Sequence, residues 1–272
     1  MKALTLNNGI DIPIVGSGTN TYGKEGNQYA GALRGDTEEI DWAIENGYRH
    51  FDSAQKYRNE EVLGKGIKKS SLPREDFFIT TKLNTFEGFG GTDWAHAEIE
   101  KSLEKLQTDY IDLFLIHNPW DNHTEILEAW RILEDYYNRG VFKSIGVSNF
   151  KKEHLDIILE NGSVPPAVNQ IKSQVGNWNE ELIDYNKKND IATVAWSPLG
   201  GIDEKALQVL EEIGKPYGKK YAQVVLRYQI ERDVIVIPKS HNKNRQAQSL
   251  AIFDFELTES DRDRIAQLPG SH

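Results

Sequence analysis

The sequence predicts a single closed (β/α)8 TIM barrel entered through an N-terminal β-hairpin. Eight short apolar runs alternate with amphipathic helical stretches, and no Pro/Gly/Ser-rich linker divides the 272 residues. The first residues, "KALTLNNGIDIPI", alternate, turn at Asn-Asn-Gly and alternate again, which is a hairpin signature. An open doubly wound sheet also alternates strands and helices; the count of eight units favours closure. The domain expectation is one unit over 1–272.

Strands are expected at 12–18, 48–52, 77–83, 110–117, 143–148, 167–171, 192–196 and 233–238, where β-branched and aromatic residues cluster. Helices are expected near 36–46, 59–69, 92–106, 124–139, 150–160, 178–189, 203–213 with 219–230, and 242–250. Leu103 and Leu106 fall one turn apart, and "RILEDYYNRG" runs into a Gly stop at Gly140. A last helix opens with the capping box Thr258–Asp261 and stops at Pro269–Gly270.

Composition removes several classes of function. There is no cysteine, hence no disulfide, thiolate nucleophile or Cys-ligated zinc. The formal charge of -10 argues against a nucleic-acid partner, which needs a basic footprint. The amino terminus lacks an apolar leader segment, and no 18-residue apolar run occurs, so the expectation is a soluble, cytoplasmic protein without membrane contact. A monomer or weak homo-oligomer is expected.

In such a barrel the chemistry sits at the carboxyl ends of the strands. Asp52 ends strand two, Lys82 strand three and His117 strand four, while Tyr57 follows in the loop after strand two. Each has a plain reading: an N-cap, a solvated strand end, a packed histidine, a half-exposed phenol. Three consecutive strands ending in ionisable groups favour a joint role. A phenol is a poor acid at neutral pH; a nearby ammonium from Lys82 would lower its pKa, with Asp52 holding the lysine. A neutral His117 would orient a substrate oxygen. That logic fits proton donation to a carbonyl. His50 and Asp52 form an H-x-D pair of the kind metal-dependent hydrolases use, but the later strand ends offer no further His or carboxylate ligand, so no metal is expected.

Those later ends offer a different set of groups. Ser148, Asn149 and Gln170 can grip a carboxamide, and Trp196 is a platform for a flat ring. Lys239, Ser240 and Arg245 gather at a helix start, an anion site. Together they describe a nicotinamide dinucleotide. The stretch "GSGTNTYG" lacks the third glycine and the following acid of a Rossmann fingerprint.

In order and spacing, "GYRHFDSAQKYRNEEVLGKGI", "TTKL", "LFLIHNP", "GVSNF", "VNQI" and "IPKS" resemble the aldo-keto reductases, over nearly the whole chain. The resemblance implies NADP(H) as cofactor, a small carbonyl substrate and Asp52, Tyr57, Lys82 and His117 as catalytic residues. It implies Ser148, Asn149 and Gln170 on the nicotinamide amide, Trp196 beneath the ring, and Ser197 and Leu199 along the pyrophosphate. Lys239, Ser240 and Arg245 would surround the 2'-phosphate and adenosine, with Gln248 near the adenine. A cofactor-sensing regulatory protein on the same scaffold is the competing reading, and the intact catalytic set argues against it.

The departures from the family pattern bear on the substrate. Trp196 stands where Tyr is more usual, and Lys172, Ser173 and Gln174 replace a common Glu and Tyr-His. Gln248 and Ser249 stand for Glu and Asn. Asn20 and Asn118 occupy positions where pocket tryptophans are common, so a purely apolar slot is not expected. The chain also ends soon after its last helix, implying a short or absent carboxyl-terminal specificity loop. After strand one, about 16 residues, "NTYGKEGNQYAGALRG", replace a usual βα loop of about 2 to 6. Such a stretch reads either as a solvated insertion or as a lid in which Tyr22 or Tyr29 supplies the missing wall.

Overall fold

The computed structural model describes residues 2–270; the terminal residues of the expected domain, Met1, Ser271 and His272, lie outside them. A hairpin comes first. Strands β1 (Ala3–Thr5) and β2 (Asp11–Pro13) pair antiparallel with Ala3 opposite Pro13. Their turn needs the left-handed backbone of Gly9, at φ 83°.

Eight strands follow in one parallel sheet whose order is the order of the chain. They are β3 (Ser17–Gly18), β4 (His50–Asp52), β5 (Phe78–Leu83), β6 (Ile111–Ile116), β7 (Phe142–Ser148), β8 (Val168–Lys172), β9 (Ala192–Trp196) and β10 (Val234–Val236). The ring closes where Val15 bridges Val236 in parallel, with Gly16 N donating to Val236 O at 2.8 Å and Gly18 N to Pro238 O at 3.1 Å. Between strands run helices α1 (Glu38–Asn46), α2 (Glu60–Lys69), α3 (Thr92–Leu106), α4 (His123–Asn138), α5 (Lys152–Asn161) and α6 (Glu180–Lys188). Helices α7 (Glu204–Gly214) and α8 (Tyr221–Ile230) share one connection, and α9 (Lys243–Leu250) and α10 (Glu259–Ala266) complete the chain. The helix signals act as expected. Gly140 takes φ 76° just past α4, and Thr258 and Asp261 exchange the capping-box bonds at α10.

Alternation along the strands builds two apolar layers. On β6, Leu113 and Leu115 face the barrel interior with Val168, Val194 and Ile235. Phe114 and Ile116 face outward into the larger layer beneath the helices. Leu6 and Ile12 of the hairpin join the interior group and plug the amino-terminal end of the barrel. Each such buried side chain contributes about 1.5 to 3 kcal/mol.

The expected strand 12–18 is corrected into two pieces. Ile12 and Pro13 belong to the hairpin, and only Ser17–Gly18 is a barrel strand. Ile14 is the change-over: its N–H donates to Lys2 O in the hairpin and its carbonyl accepts from Val236 N across the barrel seam. Gly16 follows because a Cβ there would sit 2.6 Å from His50 Nδ1. His50 itself is packed, with Nδ1 3.1 Å from Pro13 O, Nε2 3.3 Å from Thr80 Oγ1, and its ring edge-on to Phe78. Burial pushes its pKa down to about 4.

Candidate active site

The carboxyl ends of β4, β5 and β6 bring Asp52, Lys82 and His117 to one rim, and the short 3-10 turn Gln55–Tyr57 delivers Tyr57 beside them. Lys82 is 0% exposed. Its Nζ donates to Asp52 Oδ1 and to Ser53 O, both at 2.7 Å, and to Tyr57 Oη at 3.5 Å. A lone pair of the phenol oxygen thus faces an ammonium, which leaves its O–H free to donate elsewhere. Asp52 Oδ2 accepts from Gln170 Nε2 at 2.6 Å, which ties β4 to β8 across the barrel.

Burial sets the electrostatics here. It pushes the Tyr57 hydroxyl well above its usual value, with Asp52 and Tyr29 adding to the effect. The expectation of a net lowering by Lys82 is therefore corrected: burial outweighs the ammonium, and the phenol is held in its protonated form. Burial also lowers Lys82, against the pull of Asp52. His117 is pushed down to about 2 by burial and by the charges of Lys82 and Lys56. Its ring is neutral, and its buried Nδ1 has no partner among the described residues.

Above these groups lies a cavity of about 460 Å³. Asn20, Tyr57, His117, Trp196 and Lys239 all line it. So do two aromatics from loops, Tyr29 and Phe86. At 46% and 49% exposure they are the exposed large hydrophobics among the described residues, and both stand at this rim. Phe86 lies edge-on to His117, ring centroids 4.8 Å apart, with Lys56 Nζ 5.3 Å from its centre. Sequence reasoning missed Phe86 because "NTFEGFGG" carries no periodicity; the loop's place directly after Lys82 was the available signal.

Two expected substrate contacts are corrected. Tyr22 is 0% exposed, and its hydroxyl is held by Ser17, Ser240 and Gln246 beneath the loop, so it supplies no wall. Asn118 lies outside the cavity lining; its backbone exchanges bonds with Thr85 Oγ1, and its Nδ2 donates to Pro119 O at 2.9 Å. Asn20 does line the cavity, with Oδ1 buried and unpartnered among the described residues. The stretch 20–35 is folded, in contrast to a solvated insertion. Lys24 bridges Leu33, Lys24 Nζ donates to Tyr29 O at 2.6 Å, and Arg34 forks onto the buried Glu39 carboxylate at 2.9 and 3.0 Å.

The residues expected around a dinucleotide divide into two groups. Ser148, Asn149, Gln170, Trp196, Ser197, Leu199 and Lys239 line the same cavity as Tyr57. Gln170 spends Nε2 on Asp52 and keeps Oε1 as its remaining acceptor. Asn149, at φ 61°, donates to His117 O and accepts from Trp196 Nε1 at 2.8 Å, so this asparagine fixes the indole. Lys172 Nζ lies 5.8 Å from the centre of the same ring. Ser240, Arg245 and Gln248 lie outside the lining, Arg245 and Gln248 exposed on α9. Arg245 Nε donates to Ser240 Oγ at 3.3 Å. Lys239 has no carboxylate partner among the described residues; Nζ donates to Thr21 Oγ1 at 2.8 Å. Although the residue as a whole is exposed, desolvation around its ammonium lowers its pKa. A ring platform, an amide acceptor and an uncompensated cation in one groove suit a phosphate-bearing dinucleotide.

A barrel with a buried Lys–Asp pair, a phenol and a neutral imidazole at its carboxyl rim defines a class, and the comparisons identify it. The aldo/keto reductase family model matches residues 14–269. Glyoxal reductase of Bacillus subtilis is 40% identical over 264 residues, covering 97% of this chain and 91% of that protein. Methylglyoxal reductase of Escherichia coli O157:H7 is 38% identical over 231 residues, covering 84% and 82%. The crystal structure of a Bombyx mori aldo-keto reductase in complex with NADP superposes with a TM-score of 0.89 at 34% identity, covering 100% of this chain and 94% of that one. The chain belongs to the aldo/keto reductase family.

Proposed function

We propose that this protein is an NADPH-dependent reductase of small aldehydes and ketones, acting as one catalytic unit with Tyr57 as its proton donor. The observation that carries the reading is the contact of Tyr57 Oη with Lys82 Nζ in a site that keeps the phenol protonated. Support for the cofactor comes from the NADP-bound silkworm relative and from the groove holding Trp196, Gln170 and Lys239. Support for small substrates comes from the relatives named for glyoxal and methylglyoxal.

When bound, NADPH supplies a hydride. The protein's own residues handle the oxygen. His117, neutral and edge-on to Tyr57 at 5.8 Å, orients the carbonyl oxygen toward the phenol. Tyr57 gives that oxygen its proton. Lys82 then stabilises the phenolate left behind, and Asp52 keeps the lysine in place. Trp196 and the rim aromatics Tyr29 and Phe86 shield the reacting atoms from water. Of the expected phosphate contacts, Lys239 belongs to the groove and Ser240 and Arg245 to the α9 entrance beside it.

A panel of carbonyl compounds headed by glyoxal and methylglyoxal, followed by NADPH absorbance, tests the assignment. Turnover of at least one supports it; NADPH binding without turnover of any would favour a cofactor-sensing role. Cytoplasmic location and a monomeric or weakly associating state belong to the same proposal, for fractionation and light scattering to test.

A further inference from the structure

Beside the cavity runs a chain of hydrogen bonds that the reaction does not use. Glu39, on the first turn of α1, is 3% exposed yet carries a carboxylate. Burial raises its pKa, but bonds from His241, Arg34 and Gly23 N outweigh burial and leave it lowered. An ionised carboxylate only accepts, so the 2.9 Å contact to His241 Nδ1 requires that nitrogen to carry the proton. In the neutral ring Nε2 then accepts, and its partner at 2.7 Å is the hydroxyl of Thr21. With that proton committed to His241, Thr21 Oγ1 turns its lone pairs to Lys239 Nζ at 2.8 Å. With Nδ1 protonated, Thr21 Oγ1 has a lone pair for Lys239 Nζ whether Nε2 accepts from it or donates to it.

We infer that Glu39, His241 and Thr21 are positioning residues that hold the Lys239 ammonium at the groove before a phosphate arrives, and so set the preference for the phosphorylated cofactor. The inference rests on the cofactor reading above. A lysine has four side-chain torsions, and an exposed one loses that freedom when it grips a ligand. Here one rotamer is chosen in advance by a partner that is itself held by a buried carboxylate, which lowers the ordering cost of binding. Glu39 also receives Arg34 and the Gly23 N–H at 3.1 Å, so the long loop after β3 and the lysine share one anchor. The chemistry recognised is a dianionic phosphate monoester, the group that separates NADPH from NADH.

Thr21→Val removes one hydroxyl at nearly constant volume and tests the relay. Titrated by fluorescence, NADPH should bind roughly three- to tenfold more weakly, the scale of ordering one long side chain. NADH affinity should stay within about twofold, and Thr21→Ser, which keeps the hydroxyl, should restore NADPH binding. Glu39→Gln, checked for an unchanged fold by circular dichroism, should show the same selective loss. Lys239→Met is the control for the cofactor reading. If it weakens NADPH while Thr21→Val does not, the relay is overturned and the phosphate contact stands. If Lys239→Met leaves NADPH untouched, the phosphate assignment falls and the relay with it. Equal losses for NADH and NADPH in Thr21→Val would also overturn the inference.

Discussion

Tyr29 stands edge-on to Tyr57, with ring centroids 6.1 Å apart and planes at 78°. It reaches there from a loop clasped at its base. Lys24 Nζ lies 4.9 Å from the centre of its ring, and its own hydroxyl donates to Lys56 O at 3.3 Å. Phe86 covers His117 from the facing loop. Two loop aromatics thus line the cavity beside Tyr57 and His117, and we propose them as the substrate wall.

Truncating either aromatic should act on substrate capture. Tyr29→Ala and Phe86→Ala each remove apolar area worth about 1 kcal/mol or more, so KM for a good substrate should rise at least roughly fivefold. NADPH affinity should hold. Steady-state kinetics across the carbonyl panel checks this, and an unchanged KM in both variants would remove these residues from the substrate wall.

Replacing the proton donor should separate chemistry from binding. Tyr57→Phe keeps the ring and loses the O–H, so kcat should fall roughly 10²-fold or more with little change in NADPH Kd. Turnover near that of the parent protein would show that another group supplies the proton.

Breaking the Lys82–Asp52 pair should cost stability as well as activity. Lys82→Met strands a carboxylate that is 2% exposed, a loss of about 3 to 5 kcal/mol. Adding Asp52→Asn should recover a large part of it. Urea unfolding of the single and double variants decides; losses that simply add would contradict a coupled pair.

At the groove entrance, Arg245→Ala should weaken NADPH roughly tenfold or more and hardly move NADH, because a charge-assisted hydrogen bond contributes about 1.5 to 3 kcal/mol. Fluorescence titration with both cofactors reads this directly. An equal loss for the two would place Arg245 away from the 2'-phosphate.

Acid should destabilise the fold through two histidines. His50 and His117 have folded pKa values of about 4 and about 2, below the unfolded value of about 6.5. The unfolded chain therefore binds more protons, and stability falls as pH drops below about 6.5. With both rings contributing, the slope is at most about 2.7 kcal/mol per pH unit. Urea midpoints at pH 7.5, 6.5 and 5.5, with His50→Gln for comparison, test this. A slope unchanged by His50→Gln would rule out its share.

What could be read in the sequence followed from geometry that repeats. A barrel strand ending in Asp, Lys or His places that residue on one rim, so Asp52, Lys82 and His117 are legible in the sequence alone. Loop residues obey no such period. Tyr22 and Tyr29 share one Gly-rich stretch, and only the packing of Lys24, Arg34 and Glu39 decides that Tyr22 turns inward while Tyr29 reaches the cavity. At Tyr57 the pull of Lys82 is legible in the sequence, but the desolvation of its hydroxyl depends on the surrounding packing and is not. The Glu39 relay was invisible because its members lie far apart in the chain and meet only where α1 packs beside α9.

The closure of the ring at Val15 and Val236 has a consequence for biosynthesis. A nascent chain that has released β3 to β9 carries a sheet with an open parallel edge on each side, and nothing can cover them until β10 emerges. Pairing between such distant segments is slow, because the long intervening loop must close first. During that interval the edges of β3 and β9 offer unpaired backbone to neighbouring chains. The hairpin bears on this interval, since Leu6 and Ile12 plug the barrel floor and β2 leads directly into the seam. Weakening Ile12 should therefore show first as aggregation during expression, ahead of any change in the finished protein's activity.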